Sequence, residues 1–141
     1  MPGVYLDSCV IIYLIEGPPA LHEAIASALR PTDGAAPDVF ISDLTRLECR
    51  VAPLRDRDEE SLSRYDAFFA LQEVTRIPMT AEVFDIATSL RASHRLKTPD
   101  ALHLAAAILG GCEELWTNDD HLVTAAKSHV AVRILPQGDI Q

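Results

Sequence analysis

The amino-acid sequence predicts an α/β fold with a mostly parallel central sheet. Three observations carry this. Short apolar runs alternate with longer helix-patterned segments along the chain, in the order strand, helices, strand, helices, strand, helix, strand, a short helix, strand. The runs are continuously apolar, the signature of a strand buried on both faces. A length of 141 residues with 48% hydrophobic residues supplies one packed core, so the chain is read as a single domain over 1–141 with a loose tail from about residue 136. Charged residues make up 23%, which excludes a disordered or low-complexity chain.

Each element has a local reason. Val4-Tyr5-Leu6 is a buried strand ending at Asp7. Ser8 to about Ile15 is an apolar helix stopped by Gly17-Pro18-Pro19. Leu21, Ile25 and Leu29 recur at helical spacing up to Arg30, and Pro31–Pro37, with Asp33-Gly34, is a loop. Val39-Phe40-Ile41 is the second strand. Ser42 and Asp43 are N-cap residue types before Leu44, Leu47 and Val51, in a helix expected to end at Pro53. Asp58-Glu59-Glu60 suits the positive end of the next helix, which carries Leu62, Tyr65, Phe68, Phe69 and Leu71. Val74–Ile77 is a weaker strand, and Thr80 caps a helix to about His94. Thr98-Pro99-Asp100 is a strong helix start, and the helix to Leu109 is apolar nearly all round, hence central. Gly110-Gly111 ends it, and Leu115-Trp116-Thr117 and Val130–Leu135 are short strands.

Charge and cysteine content narrow the function. Twelve basic residues against 21 acids give a net charge of −9. Such a chain repels polyanions at long range and suits cationic partners or metal ions held by carboxylates. Cys9, Cys49 and Cys112 form no CxxC pair, which indicates neither a disulfide framework nor a zinc ribbon; reduced thiols in a cytoplasmic protein fit. The N-terminal stretch lacks a basic region and is interrupted by Asp7, so no signal peptide is expected. Runs such as Val10–Ile15 fall far short of the ~20 residues a membrane helix needs, so no membrane partner is expected.

Four acids stand at related places. Asp7 ends the first strand, Glu48 lies within the third helix between Leu47 and Cys49, Asp100 opens the buried helix, and Asp119 follows the Leu115–Thr117 strand. In open α/β sheets, ligands bind beyond the carboxyl ends of the strands. Taken singly, each acid has a plain reading as a cap, a dipole partner, a turn residue or a solvated position. Converging, four carboxylates would repel one another, a penalty that a divalent cation removes. Oxygen donors select Mg²⁺ or Mn²⁺, whose chemistry includes phosphodiester cleavage. No glycine-rich phosphate loop is present, against use of a nucleoside triphosphate.

These residues carry a resemblance. Leu6-Asp7-Ser8-Cys9-Val10-Ile11-Ile12-Tyr13-Leu14, Ser42-Asp43-Leu44-Thr45-Arg46-Leu47-Glu48, Lys97-Thr98-Pro99-Asp100-Ala101-Leu102-His103-Leu104-Ala105 and Trp116-Thr117-Asn118-Asp119 resemble, in order and spacing, the four motifs of PIN-domain ribonucleases, in the short form of VapC toxins of VapBC toxin–antitoxin systems. The resemblance runs from Val4 to about Leu135. It implies a three-layer α/β/α PIN-like domain and an Mg²⁺- or Mn²⁺-dependent endoribonuclease. Asp7, Glu48, Asp100 and Asp119 would be catalytic metal ligands, and a metal-activated water would attack RNA. It also implies a cognate VapB-type antitoxin as inhibitor and a homodimer. Ser8 and Thr117 are candidates for outer-sphere or water-positioning roles. Many relatives carry Thr-Asn after the first Asp, where this chain has Ser8-Cys9. Asp120 beside Asp119 offers a second acid at the fourth motif; the motif register favours Asp119.

The remaining candidates weigh as follows. Arg91, Arg95 and Lys97 form an acid-free basic stretch just before Asp100, read equally as a solvated helix end or as an RNA-backbone patch, with Arg46 and Arg50 as further candidates. His103 is read as a core histidine with one satisfied hydrogen bond, Cys9 and Cys49 as small apolar fillers, and Tyr65, Phe68, Phe69 and Leu71 as core, part of them a groove or dimer contact. Two rival functions are weighed. A receiver-like phosphoacceptor domain would need an acid pair at the first strand and a late lysine; the chain has Asp7 alone and Asn118-Asp119-Asp120. A catalytically inactive PIN-fold binding module is disfavoured by the intact acid set.

Overall fold

The structure is a computed structural model and describes residues 3–31 and 35–136. The Asp33-Gly34 turn and the tail beyond residue 136 lie outside the described residues. The first apolar run forms β1 (Gly3–Leu6), and Asp7 caps α1 (Ser8–Glu16) by accepting the Ser8 backbone N–H. α2 (Pro19–Leu29) begins on a proline, tolerated there because the first-turn N–H has no helical partner. β2 (Asp38–Ser42) leads into α3 (Asp43–Arg55) through a Ser42–Thr45 capping box. α4 (Glu59–Phe69) is capped by Asp58, β3 covers Val74–Ile77, and α5 (Ala81–Ser93) is capped by Thr80. α6 (Thr98–Leu109), β4 (Glu114–Thr117), the short α7 (Leu122–Ala126) and β5 (Ala131–Ile134) complete the order.

The strands form one sheet in the order β3-β2-β1-β4-β5, and every pairing is parallel. From β1 the chain builds outward on one side through β2 and β3, then returns to place β4 and β5 on the other. The strand order therefore reverses at β1, and the crevice beyond β1 and β4 is the topological switch point. Tyr5 pairs with Phe40 on one side and Leu115 on the other, which fixes the register there.

Alternation along β1 divides the core into two layers. Val4 and Leu6 join Val10, Ile11, Ile25, Tyr65, Phe69 and Trp116, beneath α1, α2 and α4. Tyr5 points the other way, into a cluster with Leu90, Leu104, Leu115 and Leu122, beneath α5, α6 and α7. The result is the expected three-layer α/β/α arrangement, with a sheet that is parallel throughout. α6 is buried over all of Ala101–Ala107; its alanines let the helix lie close to the sheet. Gly111 supplies the left-handed turn (φ +71°) from α6 to β4. Among the described residues, no single helix is long and apolar enough to cross a membrane.

Three local expectations are corrected. α3 continues through Pro53 to Arg55. A proline costs a helix its own N–H bond, but Pro53 lies in the last turn, and its carbonyl still accepts the Asp58 N–H at 2.9 Å. Leu71 lies past the end of α4 and is exposed rather than core. Cys9 is only half-buried, whereas Cys49 and Cys112 are buried fillers. Leu47, Val51 and Leu54 stand on one face of α3, exposed at 58%, 49% and 55%.

Candidate metal centre

The site lies in the switch-point crevice, and hydrogen bonds tie its acids to the sheet ends. The Asp7 backbone N–H donates to the Trp116 carbonyl at 2.9 Å, which continues the β1–β4 pairing by one residue. The Asp7 carboxylate is then held at both oxygens. Oδ1 accepts the Ser8 N–H at 2.7 Å, and Oδ2 accepts the Thr117 hydroxyl at 2.7 Å. Ser8 also donates its own hydroxyl to Glu48 Oε1 at 2.6 Å. One serine thus fastens Asp7 through its backbone and Glu48 through its side chain. Thr117 does the same on the other side, because its Oγ1 also accepts the Asp119 N–H at 3.2 Å. The two hydroxyl residues expected to serve the acids do connect them.

Glu48 carries a second bond to the same oxygen. His103 Nε2 lies 2.6 Å from Glu48 Oε1 and 3.6 Å from Asp7 Oδ1. Its Nδ1 lies 2.7 Å from the Tyr5 hydroxyl, which in turn meets Ser42 Oγ at 2.8 Å and Thr45 Oγ1 at 3.2 Å. His103 is buried, as expected of a core histidine, but the expectation of one satisfied hydrogen bond is corrected: both ring nitrogens are engaged, and one of them at the site. Its position three residues after Asp100 on α6 turns it toward the acids. Ligand atoms of Asp7, Glu48 and His103 lie within 4.8 Å of one another.

The electrostatics follow from this geometry. Burial pushes the Glu48 carboxyl up, but hydrogen bonds from His103 and Ser8 outweigh it and hold Glu48 below the usual carboxylate range. Among the described residues Asp100 has no such donors. Burial raises it, and the negative charges of Asp119, Asp7 and Glu48 raise it further against the opposing influence of His103. Asp100 therefore lies within electrostatic reach of the other three acids, and the crevice favours added positive charge. Asp119 is half-buried and its charge acts on Asp100, whereas Asp120 is exposed. Asp119 Oδ1 accepts the His121 N–H at 2.9 Å, which sets its turn.

The basic candidates are placed differently. Arg91 closes the α5–α6 connection, donating to the Leu96 carbonyl and to Thr98 Oγ1 at 3.0 Å each. Arg50 pairs with Asp66 at 2.8 Å, and Arg46 lies 3.7 Å from Asp43 and over the Phe69 ring. Arg95 and Lys97 are exposed beside the start of α6.

The PIN domain family model matches residues 4–128. The chain belongs to the PIN-domain family. No curated protein gives a significant match. Solved structures share the PIN fold. One is VapBC2 from Rickettsia felis bound to a DNA fragment from its promoter: TM-score 0.72, 16% identity, covering 94% of this chain and 98% of that one. The VapC20 toxin of Mycobacterium tuberculosis, which cleaves the sarcin-ricin loop, aligns with TM-score 0.70 and 20% identity over 92% of this chain and 98% of its own. A toxin–antitoxin complex from Klebsiella pneumoniae gives 0.66 and 24% over 92% and 95%. At these identities the likeness is one of fold.

The donors that lie close together, carboxylate oxygens of Asp7 and Glu48 with His103 Nε2 and with no thiolate among them, fit a divalent cation, and Asp100 and Asp119 add negative charge nearby. Glu48 Oε2 has no protein hydrogen bond among the described residues, and the raised Asp100 marks charge that the protein leaves uncompensated.

Proposed function

We propose that this PIN domain is a metal-dependent endoribonuclease toxin of the VapC type, restrained by a VapB-type antitoxin. The observation that carries the reading is that Ser8 and Thr117 knit together Asp7, Glu48 and the backbone of Asp119 at the switch point, while burial and the charges of these three acids raise Asp100. Asp7, Glu48, Asp100 and Asp119 would hold Mg²⁺ or Mn²⁺. Bound there, the ion supplies charge for a phosphodiester's non-bridging oxygens and acidifies a water. The chain's own residues do the rest. Ser8 and Thr117 fix the carboxylates of Asp7 and Glu48 and the backbone of Asp119 in advance, so little reorganisation accompanies binding. Arg95 and Lys97, exposed just before Asp100 in the chain, would meet RNA phosphates.

The antitoxin proposal is supported by complexes among the structural neighbours and by the exposed Leu47, Val51 and Leu54 stripe on the helix that also bears Glu48. An acidic crevice beside an apolar stripe suits a partner that combines an apolar helix with an Arg or Lys. A homodimer belongs to the same proposal. Against a phosphoacceptor domain, neither lysine forms an ion pair or side-chain hydrogen bond with these carboxylates among the described residues.

The test is cleavage-end mapping across total RNA with wild type and Asp7→Asn, with and without Mg²⁺. New ends are expected only with wild type and ion. Equal cleavage by the two proteins, or ion-independent cleavage, would overturn the reading.

A further inference from the structure

His103 makes a contact that a core role does not explain. A carboxylate only accepts hydrogen bonds, so the 2.6 Å contact to Glu48 Oε1 places the ring hydrogen on Nε2. Nδ1 lies 2.7 Å from the Tyr5 hydroxyl, which donates to a neutral ring or accepts from a protonated one and anchors the ring in either state. The Tyr5 hydroxyl also meets Ser42 Oγ at 2.8 Å and Thr45 Oγ1 at 3.2 Å. Those two residues are already locked by the α3 capping box, where the Ser42 N–H donates to Thr45 Oγ1 at 3.1 Å. The bonds run unbroken from the start of α3 through β1 and α6 and back to Glu48 on α3. Tyr5, Ser42, Thr45 and His103 are all buried, so the chain of bonds is shielded from competing water.

The chain of bonds ends on one oxygen only. Ser8 and His103 both donate to Glu48 Oε1, and Oε2 accepts nothing from the protein among the described residues. A half-buried glutamate held by Ser8 alone could rotate its carboxyl group about Cγ–Cδ. Two donors from different elements at one oxygen remove that freedom and choose which oxygen stays open.

We propose that His103, anchored by Tyr5, is a positioning residue for Glu48: it pins Oε1 and so leaves Oε2 as the atom Glu48 offers to a divalent cation. The inference rests on the metal-centre reading above and adds a residue pair that the four-acid motif does not contain.

The test measures Mn²⁺ affinity of the isolated protein, by electron paramagnetic resonance of free Mn²⁺, alongside circular dichroism and thermal melting. His103→Leu should remain folded and bind Mn²⁺ roughly 10–100-fold more weakly, the range for loss of an outer-sphere partner of a metal ligand. His103→Gln, which keeps a donor and an acceptor, should recover most of the affinity. Tyr5→Phe, which leaves the ring but frees it, should lose affinity severalfold. Wild-type Mn²⁺ affinity in folded His103→Leu would overturn the proposal, as would equal losses in His103→Leu and His103→Gln. If His103→Leu does not fold, Tyr5→Phe decides: a weakened affinity supports the assignment and an unchanged one overturns it. Absence of Mn²⁺ binding by wild type would instead overturn the metal-centre reading itself.

Discussion

Thr117 donates its hydroxyl to Asp7 Oδ2 at 2.7 Å across 110 positions of sequence, and Thr117 Oγ1 in turn accepts the Asp119 N–H. Replacement by valine keeps the shape and removes both bonds. Thr117→Val is expected to bind Mn²⁺ about tenfold more weakly and to lose about 1 kcal/mol of stability, while Thr117→Ser keeps most of both. Calorimetric titration and denaturant melts of the two variants check this; equal affinity in Thr117→Val and wild type would deny the link a role in metal binding.

Asp100 marks where the apo site is strained electrostatically. Its neighbours Asp119, Asp7 and Glu48 are acidic, and its carboxyl is raised. In metal-free protein at neutral pH, Asp100→Asn is therefore expected to raise the melting temperature, by roughly 3–4 °C for each kcal/mol of repulsion relieved. Added Mg²⁺ should stabilise wild type and leave the variant nearly unmoved. Thermal melts with and without the ion read both effects; a variant that melts below wild type in chelator would contradict the electrostatic account.

The buried Cys112 thiol gives a pH signature away from the site. Burial pushes it up to about 12. The folded state thus retains a proton that the unfolded chain releases near pH 9. Between that pH and about 12 the unfolded state binds fewer protons, so stability falls as pH rises. Below pH 9 this contribution is fully present. Alkylation of Cys112 by iodoacetamide should accordingly be slow at neutral pH and accelerate only with denaturant. Rapid labelling of native protein, followed by mass spectrometry, would contradict this placement.

Arg95 and Lys97 provide the RNA test. Arg91 is occupied by the Leu96 carbonyl and Thr98, so its reversal would disturb the α5–α6 connection itself. The Arg95→Glu, Lys97→Glu double variant should cleave RNA with a raised KM, and the salt dependence of RNA binding should lose about one unit of slope per phosphate contact removed. Its Mn²⁺ affinity should stay at the wild-type level. An unchanged KM and salt slope would remove these residues from RNA binding.

Much of this fold is legible in local sequence. Each strand is a short apolar run, and Thr80, Asp58 and Ser42 cap the helices they precede. The acids are legible as a set because each ends a strand or sits on a helix near the switch point. Two kinds of feature were not legible. Pro53 reads as a stop by propensity, but a proline in a last turn loses one bond and leaves its carbonyl usable. His103 reads as a core residue because its helix is apolar on every side, and its partners Glu48 and Tyr5 lie 55 and 98 positions away. Nothing near His103 in the chain announces a polar network assembled by three separate elements.

The central place of β1 sets an order of events during synthesis. β1 leaves the ribosome first, yet its neighbour β4 and the acids Asp100 and Asp119 come from the last third of the chain. A nascent chain can bring Asp7 and Glu48 together early, through Ser8, but half of the acid set is still missing until α6 and β4 have emerged and closed the longest loop in the sheet. The crevice therefore stays unfinished until the segment that carries Asp100 and Asp119 has left the ribosome.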